Sequence, residues 1–193
     1  MPHYDGFEII LPKRVVVQPT PHIVDIGDCG ACVAAGIIGV GVKEIYERLD
    51  KQGGLTWRNM GSALRNSDEI EHVMDRVPFW SADGWNAPMG MSGLQSWIAW
   101  ADYLRIAFTA GYYAATQVDM HEQGIREDSD WLEINHWQLI CGIRGTSTGT
   151  LKRELLVSCS AASTPDLEWV SAKRFLARRG GYNAILAKPS DKD

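Results

Sequence analysis

Cys29 and Cys32 stand at the start of a predicted helix, in the stretch "DCGACVAAGII" that begins at Asp28. The first turn of a helix lies at the positive end of its macrodipole, where exposed N–H groups stabilise a thiolate and lower its pKa. The same N–H groups can hold an oxyanion that develops during a reaction. The position of Cys29 therefore suits a nucleophile.

A nucleophilic cysteine needs a base, and histidine serves most often. Of the five histidines, His136 is the best candidate. It opens the apolar stretch "HWQLICGIR", a predicted strand, so a rigid element would carry the imidazole into a cleft. His3 lies near the terminus, His72 on a predicted helix and His121 in an acidic segment.

The same thiols allow other interpretations. A C-x-x-C pair at a helix N-terminus is also the thioredoxin arrangement, although that fold begins with a βαβ unit. A zinc site needs four ligands, and Cys141 and Cys159 have no C-x-x-C partners of their own. Cys141 is predicted to be a small core residue. Cys29 and Cys32 could likewise be core residues of a binding module without chemistry.

The helix that carries the cysteines is apolar on every side as far as Ile38, which indicates a buried helix. Gly39 is predicted to end it. Three amphipathic helices are predicted next, in "VKEIYERL", "TWRNMGSALRN" and "SDEIEHVMDRV". A long helix, "LQSWIAWADYLRIAFTA", follows and is predicted to end at Gly111.

The second half of the chain has the pattern of strands. These are predicted in "YYAATQV", "HWQLICGIR", "LKRELLVSC" and "YNAILAK", with "GTSTGT" as a hairpin between the second and third. "VSAKRFLARR" is predicted to be a short helix. Helices followed by an antiparallel sheet indicate an α+β fold.

Composition limits the classes of protein. A chain of 193 residues suffices for one good-sized domain, and its net charge of −5 argues against nucleic acid or an anionic membrane as main partner. The first residues, "MPHYDGFEII", lack a signal-peptide pattern, and no stretch has the roughly 20 apolar residues of a membrane span. We expect a soluble, cytoplasmic protein.

Three segments, in order, resemble the papain-like cysteine peptidases. They are "DCGAC" with its apolar helix, "NHWQLICGIR", and the tail from "LLVSCSA" to "YNAILAKP". The tail is most similar to the bacteriocin-processing, double-glycine peptidases, in which a strand, a turn, a short helix and a final strand follow the histidine. The resemblance covers residues 23–188.

This resemblance implies a single papain-like domain over residues 1–193, with N-terminal helices, one of them buried and central, followed by an antiparallel sheet. It implies a cysteine peptidase or amidase that acts on a peptide or protein substrate without a cofactor or metal. Compared with papain, Cys32 would be the nucleophile; compared with the bacteriocin-processing group, it would be Cys29. Nearly three helical turns separate Cys29 from Gly39, against about two from Cys32, which favours Cys29.

The sequence departs from the family pattern at the oxyanion donor. The family places a glutamine six residues before the nucleophile, and this position holds Ile23 for Cys29 or Ile26 for Cys32. Loss of one such donor can raise the barrier by about 2.7–4 kcal/mol.

It also departs at the third catalytic position, where an Asp or Asn orients the histidine. Cys159 occupies this position, between Ser158 and Ser160, and Asp166, in the predicted loop that follows, is a candidate substitute for the missing carboxylate. We expect a serine hydroxyl or a backbone carbonyl to orient His136, less strongly than a carboxylate. The predicted enzyme is therefore weak or degenerate. The alternatives are a thiol-disulfide oxidoreductase that uses Cys29 and Cys32, or an inactive papain-like binding module.

Overall fold

The computed structural model describes residues 6–12, 28–49, 55–78, 93–119, 135–146, 152–159, 167–177 and 183–190. In these ranges the chain forms five helices and a seven-stranded sheet in which every pair of neighbours is antiparallel. The predicted α+β class is confirmed.

Three consecutive helices lie between the first two strands, and four consecutive strands follow the fourth helix. The helices are α1 (Asp28–Ile38), α2 (Val42–Leu49), α3 (Trp57–Arg65), α4 (Gly93–Thr109) and α5 (Ala172–Ala177). The strands are β1 (Gly6–Ile10), β2 (Ile70–Pro78), β3 (Tyr113–Asp119), β4 (Asn135–Thr146), β5 (Arg153–Cys159), β6 (Leu167–Ser171) and β7 (Asn183–Pro189).

Strand β4 is the centre of the sheet. The strand order is β2-β7-β3-β4-β5-β6, and β1 also pairs with β4. Residues 135–140 of β4 pair with β3, whereas residues 142–146 pair with β1. The start of β4 is therefore fixed inside the sheet and can carry a side chain in a defined position.

Helix α1 is buried, as its uniform apolar pattern predicts. Ala31, Val33, Ala34 and Ile37 are inaccessible to solvent, and the helix packs on β4, β3 and β7. Gly39 ends it with a φ of 87°, a left-handed conformation that glycine adopts without steric cost. A second glycine, Gly111, has a φ of 84° after α4, where the sequence predicts the end of that helix.

One prediction of secondary structure was wrong, and two strands were missed. The segment "SDEIEHVMDRV" is strand β2, which pairs with β7, and not an amphipathic helix. The pairing has irregularities between Ile70 and His72 and between Met74 and Val77, which break the strict alternation of a strand. Strands β1 and β6 were not predicted. In β6, Val170 and Ser171 were assigned to the helix that follows, and residues 167–169 were assigned to no element.

Helices cover both faces of the sheet. Trp137 of β4 contacts the start of α1, and we call this side the α1 face. On the other side, Arg153 of β5 meets Asp102 of α4, with 3.5 Å between Nε and Oδ1, and we call this the α4 face. Alternation along β5 puts Arg153 and Val157 on the α4 face, and Val157 is paired with Ile140 of β4. Side chains at 136, 138 and 140 therefore belong to the α4 face as well.

Within the described ranges, no single helix is long and apolar enough to cross a membrane. Only when α1 and α2 are taken together are they long and apolar enough, over residues 29–38 and 42–49, and the two helices meet at a bend of 100°.

Candidate active site

Cys29 lies in the first turn of α1 and is partly exposed. Its Sγ accepts a hydrogen bond from the backbone N–H of Trp137, with 3.4 Å between nitrogen and sulfur. This bond joins the start of the buried helix to the start of the central strand. Backbone N–H groups that point at a sulfur favour its thiolate form, as the helix N-terminus also does.

The contact brings Cys29 close to the candidate base. His136 directly precedes Trp137, and standard peptide geometry puts its Cα at most about 6 Å from the Cys29 sulfur. The two segments that the sequence selected for chemistry are therefore neighbours in the fold. That the imidazole ring itself reaches the sulfur stays a prediction.

Two residues that sequence reasoning did not select hold this contact in place. A Cβ on Gly30 would lie 2.7 Å from Leu55 Cβ and 2.9 Å from Trp137 Cδ1, so only glycine lets α1 approach β4 this closely. Trp137 is buried, and its Nε1–H donates to the Leu55 carbonyl over 2.8 Å. The available signals were the glycine after the first cysteine and the tryptophan after the histidine.

His136 is the second residue of β4 and is only 6% exposed. Burial lowers its pKa from 6.5 to about 4, because the charged form loses its hydration inside the protein. The imidazole is therefore neutral at pH 7. It can accept a proton, but the imidazolium that results is unfavourable in this environment.

His136 and Cys29 approach β4 from different directions. Alternation along the strand puts His136 and Gln138 on the α4 face, whereas Trp137 is on the α1 face with the helix. The N–H groups of a strand lie between these faces, in the plane of the sheet. The Cys29 sulfur, bonded to such a group, is thus beside the strand and not beneath the tryptophan.

The other cysteines occupy different environments. Cys32 lies one turn further into α1 and is 1% exposed. Cys141, in the middle of β4, is buried and donates to the Leu156 carbonyl, with 3.7 Å between sulfur and oxygen. Burial raises the pKa of the Cys141 thiol to about 12. The prediction that Cys141 is a core residue is confirmed.

The segment in which the sequence predicts the residue that orients His136 lies at the end of β5. The backbone of Cys159 is paired with Gln138, and that of Ser158 with Leu139. Ser158 is buried and, like Leu139, belongs to the α1 face, opposite to His136.

Several sequence predictions fall outside the described residues: Ile23 and Ile26 at the oxyanion-donor position, Ser160, Asp166, His3 and His121. His72 is described; it is exposed on β2, and its Nδ1 is 3.0 Å from the Tyr112 hydroxyl. Within the ranges that the structure covers, no three histidine, cysteine or carboxylate side chains are grouped as metal ligands.

No protein-family model matches this chain, and no curated protein matches its sequence significantly.

Proposed function

We propose that this protein is a papain-like cysteine hydrolase that cleaves a peptide or another amide bond, with Cys29 as nucleophile and His136 as base. The observation that carries the proposal is the hydrogen bond from the Trp137 N–H to the Cys29 sulfur. It joins a partly exposed thiol at a helix N-terminus to the residue next to a buried histidine. A thiolate, a base on a rigid strand and N–H donors are what nucleophilic catalysis by cysteine requires.

In the proposed reaction, the Cys29 thiol gives its proton to His136 and its sulfur attacks the substrate carbonyl carbon. The first N–H groups of α1 stabilise the oxyanion of the tetrahedral intermediate. His136 returns the proton to the leaving amine, and the C–N bond breaks to give a thioester. Water, deprotonated by His136, then hydrolyses the thioester and regenerates the thiol.

Cys29 is preferred to Cys32 as the nucleophile because it is the more accessible thiol. Cys32 is almost fully buried, one turn inside the helix. A substrate carbonyl would have to enter the core to reach it.

A second candidate, an inactive papain-like binding module, is favoured by the state of His136. Its pKa of about 4 makes proton transfer from a thiol unfavourable, which slows the formation of the thiolate. We therefore expect slow turnover even if the nucleophile is intact.

The experiment is labelling with a thiol-reactive acyl-mimic probe, mapped by mass spectrometry. We expect modification at Cys29, loss of it in Cys29→Ala, and a strong decrease in His136→Ala. Cys32→Ala and Cys141→Ala are the matched controls and should label normally. Labelling at Cys29 that is independent of His136 would support the inactive module. A reversible Cys29–Cys32 disulfide needed for activity would support the oxidoreductase instead.

A further inference from the structure

Buried polar side chains form a row on the α4 face of the sheet, next to the proposed base. His136 and Gln138 alternate onto this face of β4, and Thr116 of β3 is paired with Gln138. Gln138 is 3% exposed, and Thr116 is fully buried. Polar groups are retained in a core where they make hydrogen bonds. We therefore expect the side chains of this row to be bonded to neighbouring groups.

Gln138 follows His136 by two residues in β4. Residues i and i+2 of a strand are about 6.6–6.8 Å apart and point to the same side. A glutamine side chain is long enough to bridge most of that distance. Its amide offers both a donor and an acceptor, so it can bond either ring nitrogen of a neutral histidine.

The sequence predicts that a serine hydroxyl or a backbone carbonyl orients His136. The pairing of β4 with β5 determines which side chains lie on the same face of the sheet as this histidine. Ser158 is opposite Leu139 and therefore belongs to the α1 face, away from His136. Residue 159 is directly opposite Gln138, so the third catalytic position of the family is a neighbour of this glutamine in the sheet.

We propose that Gln138 is the positioning residue of His136, and that its buried amide fixes the orientation and tautomer of the imidazole where a carboxylate would act in related enzymes. This inference rests on the proposed function. An amide differs from a carboxylate in one respect: it orients the ring without stabilising the imidazolium. The pKa of His136 is lowered by burial, and a neutral amide beside the ring is compatible with this direction.

The test compares Gln138→Met and Gln138→Glu with a matched control, Leu139→Met. Both methionine variants conserve volume at adjacent buried positions, but only Gln138→Met removes the amide. The readouts are the rate of probe labelling at Cys29 against pH, and the titration of His136 by NMR in ¹⁵N-histidine-labelled protein. Unfolding midpoints establish that each variant is folded.

We expect Gln138→Met to lower the labelling rate about 10- to 100-fold, as loss of an outer partner of a functional histidine does elsewhere. Leu139→Met should label within about twofold of the natural chain. Gln138→Glu should raise the pKa of His136 and move the acid limb of the labelling profile to higher pH, because a carboxylate stabilises the imidazolium.

The inference is overturned if folded Gln138→Met labels at the natural rate with unchanged histidine titration, or if both methionine variants slow labelling equally. If Gln138→Glu does not fold, the methionine pair still decides the question. Failure of the proposed function has a different signature: the natural chain would then not label at Cys29, or would label at a rate that His136→Ala leaves unchanged. In that case the NMR titration of His136 in Gln138→Met and Gln138→Glu still tests the contact.

Discussion

Cys29 and Cys141 each make a hydrogen bond at the central strand, but in opposite directions. The Cys29 sulfur accepts from the Trp137 N–H, whereas the Cys141 thiol donates to the Leu156 carbonyl. An acceptor position favours the thiolate, and a donor position requires the protonated thiol. Cys141 is also fully buried, which raises its pKa to about 12. Direction of bonding and exposure, more than residue type, separate a candidate nucleophile from a core residue.

The largest expected effect is the difference in reactivity between these two thiols. A pKa of about 12 leaves roughly 10⁻⁵ of Cys141 as thiolate at pH 7, against a few per cent for an ordinary cysteine. We therefore expect iodoacetamide to modify Cys29 at least about 10³-fold faster than Cys141 in the folded protein. Timed alkylation with peptide mass spectrometry measures both rates. If Cys29 and Cys141 were alkylated at equal rates in the native protein, and not only in urea, the predicted difference in reactivity would be wrong.

The next effect concerns acid stability at the start of β4. The pKa of His136 is about 4 in the folded protein and about 6.5 when unfolded, so between these values only the unfolded chain binds the proton. The contribution of His136 to the free energy of unfolding is therefore fully present above about pH 6.5. It should fall by up to about 3 kcal/mol as the pH drops towards 4.

Urea denaturation at neutral pH and at about pH 5 measures this acid loss. His136→Gln should reduce it, because the glutamine does not titrate. The exposed His72→Gln variant is the control and should retain it. If the natural protein and both variants lost the same stability between the two pH values, groups other than His136 would be the cause.

The smallest effect tests the close approach that brings α1 to β4. Gly30→Ala introduces a methyl group that collides with Leu55 and Trp137, and we expect about 1–3 kcal/mol of destabilisation and slower labelling at Cys29. Gly41→Ala is the matched control, because a Cβ there has no atom within 4 Å. It should change stability by no more than about 0.5 kcal/mol. Equal unfolding midpoints for the two variants would contradict the packing described for Gly30.

Local signals were sufficient to predict much of this fold. The apolar pattern of α1, the period of α2 and the glycines at 39 and 111 each led to an element at the predicted place. Strand β2 was mistaken for a helix because Ile70, Val73, Met74 and Val77 have a helical spacing in the sequence, and the pairing with β7 has an irregularity at two places within this segment. Such irregularities depend on the partner strand, which lies more than a hundred residues later, so local periodicity could not reveal them.

The site was predictable in part. Cys29 and His136 could be selected from their residue types and from their places at the start of a predicted helix and a predicted strand. In the structure, the two segments are neighbours. The roles of Gly30 and Gln138 were not visible. The first depends on the distance between a helix and a strand, and the second on which face of the sheet each residue occupies.

The bond between Cys29 and Trp137 also has a consequence for the order of folding. These residues are 108 positions apart, and β1 and β2 likewise find their partners across more than a hundred residues. Closing such long loops costs conformational entropy before the stabilising contacts can form. Folding of this topology is therefore expected to be slow. During synthesis, α1 leaves the ribosome long before the strand that covers it exists. Modification of Cys29 at its native rate would therefore report that the start of β4 has docked against α1.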